Sequence, residues 1–378
     1  MTSPARCPLA RHQRWAYRVR RGSVAARRRA AMGITQSHTD VDAFADRVFR
    51  QSLDAMETFA IYVGERLGLY RALADAGALS ASAFATATGM HERYAREWLE
   101  QQAVAGVLAV TAASGVPRQF SLPAAHATVL LDQHSLAYTA PLARMVVAMA
   151  SQMPELLVAY RSGGGVGWSE FGADARDAQG DVNRPWFELA LAPALASVPT
   201  VHALLSRADA RIADIGCGHG WSSIALARAY PDAVVEGFDV DAIALAAARS
   251  HASDLASVVF TAADAASLAE RPANEFDVAF IFEALHDMPH PIALLRALHH
   301  AVKPGGMVVI MDEAVADAFA PNGDEIERVM YGYSLFMCLP DGMSTPVSAQ
   351  TGTVMRRPVL EGYARAAGFA GGEVLPIE

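Results

Sequence analysis

The run RIADIGCGHGWSSIALA, Arg211 to Ala227, places an acid, Asp214, two residues before the first of three alternating glycines, Gly216, Gly218 and Gly220. Glycine loses the most backbone entropy on ordering, so this spacing disfavours both helix and strand. It is useful where a bare backbone must approach a ligand closely. Asp239 ends a second apolar run, AVVEGFDVD, and an acid at such a tip can accept both hydroxyls of a ribose. His286 lies in EALHDM, directly after the apolar run FDVAFIF. A neutral imidazole near pH 7 is suited to taking a proton from a phenol or another hydroxyl. Cys7, Cys217 and Cys338 lie far apart, and His290, His299 and His300 lack carboxylates at ligand spacing. These histidines are expected on helix surfaces, and no metal site is expected.

These residues need elements to position them. ARIADIGCG reads as a strand, WSSIALARAY as an amphipathic helix and AVVEGFDVD as a second strand. That is a β-α-β unit with a glycine-rich first turn, in which free N–H groups open the helix. The ligand it suits is a nucleoside-containing cofactor. A dinucleotide fingerprint, G-x-G-x-x-G, would need glycine where Trp221 stands.

The pattern D-x-G-x-G-x-G resembles motif I of the class I S-adenosylmethionine-dependent methyltransferases, whose acid is linked to the methionine end of the cofactor. Four further stretches agree in order. VVFTAADAASL resembles the third-strand motif, which implies adenine contacts from Asp264 and Ala265. EFDVAFIFEALHDM resembles the fourth strand and its reaction centre, with Phe282 at the cofactor. LLRALHHAVKPGGMVVIMDE resembles the next helix, a KPGG turn and the fifth strand. Pro304 would stop that helix and the glycines would allow the reversal. TVMRRPVLEGYARAAGF reads as the last helix, ended by Gly368, and GGEVLPIE as a sixth strand. The family's further antiparallel strand would follow, so a chain cut short or a sheet closed differently is expected.

The resemblance extends to two-domain small-molecule O-methyltransferases, and it implies the rest of the site. S-adenosylmethionine would be the cofactor and a small molecule, through a hydroxyl, the acceptor. His286 aligns with the family's base, Asp287 follows it, and Glu313 stands where such a family orients the histidine. Met288 replaces the tryptophan of the plant-type enzymes. Dimers joined through the N-terminal domain are the family's usual state.

That N-terminal domain has its own pattern. FAIYVGERLGLYRALADAG is a helix ended by Gly77, with Ile61, Leu67, Leu69, Tyr70 and Leu73 at helical spacing. Ser80 can cap the next helix and Gly89 turns the chain. A further helix follows, with Tyr94, Trp98, Leu99 and Val104 expected inward. VLAVTAASGVPRQFSL then reads as two strands around a Ser-Gly turn. Helix, turn, helix and hairpin make a winged-helix pattern. On a DNA reader the second helix should be basic, but HERYAREWLEQQ sets Glu92, Glu97 and Glu100 against Arg93 and Arg96. A dimerisation or substrate-covering role is the better reading. In the following segment, Trp168, Phe171, Trp186 and Phe187 are expected either as core or as a wall of the acceptor pocket.

The expected architecture is α/β: a Rossmann-like sheet flanked by helices, preceded by a mostly helical winged-helix-like domain. The expected boundaries are a basic tail at 1–31, the winged-helix-like domain at 32–122, a helical linker and pocket region at 123–200, and the cofactor domain at 201–378. The tail holds nine arginines and no acid; without it the formal charge of the chain falls from −9 to −18. So acidic a body is a poor match for nucleic acid. A hydrophobic fraction of 52% without an 18-residue apolar run suits a compact protein with no membrane span. Widely spaced cysteines suit a reducing, cytoplasmic setting. A second class stays open: an S-adenosylmethionine-binding winged-helix regulator without catalysis.

Overall fold

The computed structural model describes residues 35–112 and 116–377, so the basic tail and the Ser-Gly turn of the hairpin lie outside it. The chain divides into two compact units with the break between Ala143 and Arg144, inside the segment expected to be a linker.

The first unit opens with the 32-residue helix α1 (Thr35–Arg66). Gly68, at φ 66°, breaks it from α2 (Leu69–Ala76), which Gly77 ends. In α3 (Ala81–Thr88), Ser80 Oγ accepts from Ala83 N at 3.3 Å, the expected cap. Helix α4 (Glu92–Val104) follows, then the antiparallel pair β1 (Ala109–Thr111) and β2 (Gln119–Ser121), then α5 (Ala124–Leu131). Leu69, Tyr70, Leu73, Phe84, Trp98 and Leu99 form the core. Two expectations fail here: Tyr94 is 73% and Val104 90% exposed. The buried stripe of α4 is Ala95, Trp98, Leu99 and Gln102, and neither residue falls on it.

The second unit is a sheet between helices. Helices α6 (Pro141–Ser151), α7 (Met153–Ser162), α8 (Gly172–Trp186), α9 (Ala192–Ala196) and α10 (Pro199–Leu205) lead into it. Strands β3 (Arg211–Ile215), β4 (Val234–Asp239), β5 (Val258–Ala262), β6 (Phe276–Phe282) and β7 (Val302–Met311) pair in the order β5-β4-β3-β6-β7, all parallel. Between and after them run α11 (Trp221–Ala229), α12 (Ala242–His251), α13 (Ala265–Ala269), α14 (Pro291–Ala301), α15 (Glu325–Tyr333), α16 (Leu339–Ser344) and α17 (Arg357–Ala367). Alternation along β6 sends Val278, Phe280 and Phe282 into one core and Ala279 and Ile281 into the other, and Phe276, on the far side of a register shift, joins the second. Parallel order with covered faces requires such continuous apolar strands.

Two details correct the sequence reading. Helix α14 stops at Ala301, but KPGG does not form a free turn. It enters β7 as an irregularity: Phe276 pairs with Val302, and Val278 already with Met307. Residues 371–377 form no strand. Two glycines weaken pairing, Pro376 has no N–H to donate, and Leu375 and Ile377 instead pack on the core. Trp168, Phe171, Trp186 and Phe187 also part company. The first two belong to the core of α6–α8, the last two to the core beside β6.

Candidate active site

All five strand ends point their carboxyl termini to one edge, and the strand order reverses between β3 and β6. Ligands of open α/β sheets bind at such a reversal. The glycine loop sits there. Gly216, Gly218 and Gly220 all have positive φ, at 73°, 49° and 78°. A Cβ at Gly216 would lie 2.7 Å from Ala284 Cβ, and one at Gly220 2.6 Å from Phe260 Cζ; at Gly218 it would meet nothing. The loop is thus pressed against the segment after β6 and open above Gly218.

Two acids brace this loop. Asp214 is 1% exposed, and its Oδ2 accepts from Ser222 Oγ at 2.6 Å and Ser223 Oγ at 2.5 Å, while Oδ1 has no partner. Burial raises its pKa to about 6 against those two hydrogen bonds. Asp239 Oδ2 accepts from Gly218 N and Oδ1 from Asp241 N, both at 2.8 Å. Its carboxylate therefore shapes the loop and keeps lone pairs for a ligand. Asp264, at the end of β5, caps α13 by accepting from Ser267 N at 2.8 Å, and Ala265 opens that helix. Phe282 departs from expectation. It stacks on Phe280 at 5.1 Å and meets Phe187 edge-on at 5.5 Å, so its ring is core.

The segment after β6 carries the titrating groups. Glu283 takes φ 49°, rare for a residue with a Cβ, while its N–H donates to Met311 O at 2.8 Å. Asn183 of α8 donates to its Oε2 at 2.8 Å. His286 is 3% exposed. Its Nδ1 bonds Asp312 Oδ1 at 2.8 Å, and its Nε2 lies 3.3 Å from Asp287 Oδ1. The acid bonded to this histidine is therefore Asp312, where the sequence pointed to Glu313. Asp312 Oδ1 also accepts the Glu313 N–H at 2.9 Å, so the loop after β7 commits the earlier acid to the histidine. Burial alone would push the His286 pKa down, but Asp287, Asp312 and a contact with Cys338 outweigh it and hold it well above 6.5. The two carboxylates thus favour the protonated ring, against the neutral imidazole that the sequence reading had in mind.

Several members of this cluster carried no local sequence motif. Cys338 lies on a π-helical turn, Ser334–Cys338, and burial pushes its thiol up to about 12. π-turns inside helices recur at functional sites. Asp341 accepts from Trp168 N at 2.7 Å. The glycine-rich run makes this possible: at Gly165 a Cβ would stand 2.1 Å from Pro340 O, so only glycine lets the chain pass so near α16. Burial raises Asp341 to about 7, and burial with Glu283 raises Glu313 to about 8. His290, His299 and His300 are exposed, as expected.

These raised carboxyls set the pH dependence of folding. The native state holds protons that the unfolded chain has released. The stability from Asp214, Asp341 and Glu313 is therefore full below their ordinary values near 4 and lost as pH rises through 6 to 8. Asp214 alone, fully buried, is worth about 3 kcal/mol. His286 has the same sign, lost as pH rises through its raised value. The ligand-free protein should melt at a higher temperature at pH 5 than at pH 9 in scanning calorimetry. A melting temperature that climbs over that range would contradict these protonation states.

Comparison with known proteins agrees with this geometry. Residues 212–306 match a family model described as methyltransferase domain, and residues 55–131 one described as Rv2258c-like winged HTH domain. The ubiquinone biosynthesis O-methyltransferase of Pseudomonas aeruginosa is 38% identical over 104 residues, 27% of this chain and 44% of that protein. The chain thus spans less than half the length of the first such relatives. The protein of the same description from Ralstonia nicotianae is 34% identical over 175 residues, 45% of this chain and 67% of that protein. In fold, human N-acetylserotonin methyltransferase in complex with SAM is similar, with a TM-score of 0.61 at 18% identity, covering 89% of this chain and 94% of that chain. The chain belongs to the class I S-adenosylmethionine-dependent methyltransferases, in the two-domain form with a winged-helix unit ahead of the methyltransferase domain.

Proposed function

We propose that the protein transfers a methyl group from S-adenosylmethionine to a hydroxyl of a small molecule, with His286 taking the acceptor's proton. One observation carries this reading: the glycine loop packs directly on Ala284, two residues before the buried His286–Asp312 pair. The nucleoside-binding backbone and the proton acceptor are thereby neighbours.

The loop fits this cofactor better than a dinucleotide. Open space above Gly218 and the spare lone pairs of Asp239 suit an adenosine ribose. Asp214 and Asp239 beside the loop suit a cationic sulfonium and ammonium and oppose a diphosphate. Bound, the cofactor supplies an electrophilic methyl group on sulfur. The protein's part is then to hold the acceptor in line and remove its proton. Asp312 fixes the ring through Nδ1, leaving Nε2 toward Asp287. The ring accepts a proton only in its neutral form, which the two carboxylates disfavour, so the proton it holds leaves to solvent before the acceptor's is taken. Asp287, whose own pKa burial raises, shares the charge of that nitrogen. Calorimetry with S-adenosylmethionine and with NAD tests the cofactor: binding of the methyl donor is expected, and preference for NAD would refute it.

A regulator without catalysis is less well supported. In the winged-helix unit Arg93 pairs with Glu97, Arg96 with Glu92 at 2.7 Å, and the wing's Arg118 with Glu100 at 3.2 Å. These bases answer acids of α4, which leaves little charge for phosphates.

The small-molecule site and dimeric state go together in this reading. Helix α1 exposes Val41, Phe44, Val48, Phe49, Met56 and Phe59 at helical spacing. Such a stripe, on a helix about 48 Å long, suits a second copy laid antiparallel across it. No single helix among the described residues is long and apolar enough to cross a membrane. Phe49→Glu, at the centre of the stripe, should convert a dimer to a monomer in sedimentation equilibrium. A wild-type protein that is already monomeric would refute the pairing.

A further inference from the structure

Helix α8 turns polar side chains toward the sheet. Arg176, Gly180, Asn183 and Arg184 stand at i, i+4, i+7 and i+8, on one face. At one end Arg176 Nε donates to Asp241 Oδ2 at 2.5 Å, just after β4. At the other, Asn183 Nδ2 donates to Glu283 Oε2 at 2.8 Å, just after β6. Between them Gly180 rides on His219 of the glycine loop, where a Cβ would stand 2.5 Å from Nδ1. Arg184 lies over the Trp221 ring at 4.1 Å, where α11 begins. The helix rises about 10 Å from Arg176 to Asn183, and the two strand spacings from β4 across β3 to β6 also total about 10 Å. Helix α8 therefore lies as a bar across the carboxyl ends of the three strands that lead into Asp241, the glycine loop and Glu283.

The Arg176–Asp241 contact is nearly buried, with the two side chains 9% and 12% exposed. Buried ion pairs add little net stability, because desolvation offsets their attraction, and their best-attested use is to fix a register or a switch. This pair also leads to the ribose acceptor: Asp241 N donates to Asp239 Oδ1 and Gly218 N to Asp239 Oδ2, both at 2.8 Å. Weak points lie at both ends of the bar. Gly172 takes φ 75° where α8 begins. Near its end Pro185 cannot donate to the Asp181 carbonyl, and the π-helical turn Phe187–Leu191 follows. Element ends of this kind absorb hinge motion. The middle is not fully bonded: His219 Nε2 is buried without a hydrogen-bond partner, and Asp177 Oδ1 of α8 stands 3.7 Å away.

We infer that α8 is a gate on the cofactor cleft, latched by the Arg176–Asp241 pair, and that S-adenosylmethionine enters and its demethylated product leaves when that latch opens. This rests on the cofactor reading and adds how the same site is entered. Entry and release pass the same bar, so breaking the latch speeds both. A side chain that only touched bound cofactor would act otherwise: its loss would speed release and leave entry as it was. Asp241 keeps partners without the arginine, since its Oδ1 accepts from Ile243 N at 2.9 Å and from Ala244 N at 3.2 Å.

S-adenosylhomocysteine passed over the immobilised full chain gives both rates by surface plasmon resonance. Arg176→Met should raise association and dissociation together, roughly tenfold to a hundredfold, the value of a hydrogen bond to a charged group. Their ratio, the affinity, should change little. Arg176→Lys, which keeps the cation, should lie between wild type and the methionine variant. Gly180→Ala keeps the ion pair but presses the helix away from His219, and it should speed both rates as well. It carries the test alone if Arg176→Met does not fold. Faster dissociation with wild-type association would make Arg176 a support of the bound cofactor and overturns this inference alone. Wild-type values of both rates in either variant overturn it too. No binding by the wild-type chain removes the cofactor reading and this one with it.

Discussion

Replacing His286 by alanine should lower turnover roughly 10²–10⁴-fold, the usual contribution of a positioned proton acceptor. The ring follows β6, tied to Asp312 at 2.8 Å, and the contact of its segment with the glycine loop runs through Ala284. Cofactor affinity should therefore stay nearly intact. The loss should shrink as pH approaches about 10, where a phenol ionises unaided. The alanine also leaves Asp287 and Asp312 without their cation, so its melting temperature must be compared with wild type. His286→Gln, which fills most of the space and cannot take up a proton, separates the two effects. Equal single-turnover rates for wild type and both variants would make His286 a packing residue and leave positioning as the whole of the catalysis.

Asp239→Ala should weaken S-adenosylmethionine binding by at least tenfold to a hundredfold, the value of a hydrogen bond to a charged group. The carboxylate has two jobs. It is the proposed acceptor for ribose hydroxyls, and it already accepts from Gly218 N and Asp241 N. Its removal frees the loop as well as the ribose contact, so the effect should exceed that of a contact residue alone. Asp239→Asn keeps the shape and one acceptor and should lose less. Calorimetry giving the same affinity for wild type and alanine variant would remove Asp239 from the site.

What the sequence made legible follows chain order. Asp214, Asp239, Asp264 and His286 each end or follow a strand of a β-α-β succession, and parallel pairing carries all those ends to one edge. Local spacing was enough for them. It was not enough to choose between adjacent acids after β7. Which of Asp312 and Glu313 meets the histidine depends on how the loop leaves Met311, and the bond from the Glu313 N–H to Asp312 is a tertiary detail. Asn183, Cys338 and Asp341 arrive from helices remote in sequence, one of them on a π-turn, and no periodicity marks them. Phe282 shows the opposite case: it lies close to His286 in sequence, but strand alternation turns its ring into the core. The upward pull on the His286 pKa was hidden for the same reason, since Asp287 and Asp312 come from different loops.

The proton's path can be read from pH. Single-turnover methyl transfer would be followed from about pH 6 to pH 10, a range bracketing imidazole and phenol ionisation, for wild type and Asp287→Asn with an acceptor found by isotope labelling. With His286 as the proton acceptor, the wild-type rate rises with pH through an ionisation above that of an ordinary histidine, because the two carboxylates hold the ring protonated. In Asp287→Asn, burial and a single carboxylate remain, so the same rise moves to lower pH. A wild-type rate that does not change across the range, or a rise at the same pH in both proteins, would contradict proton removal by His286.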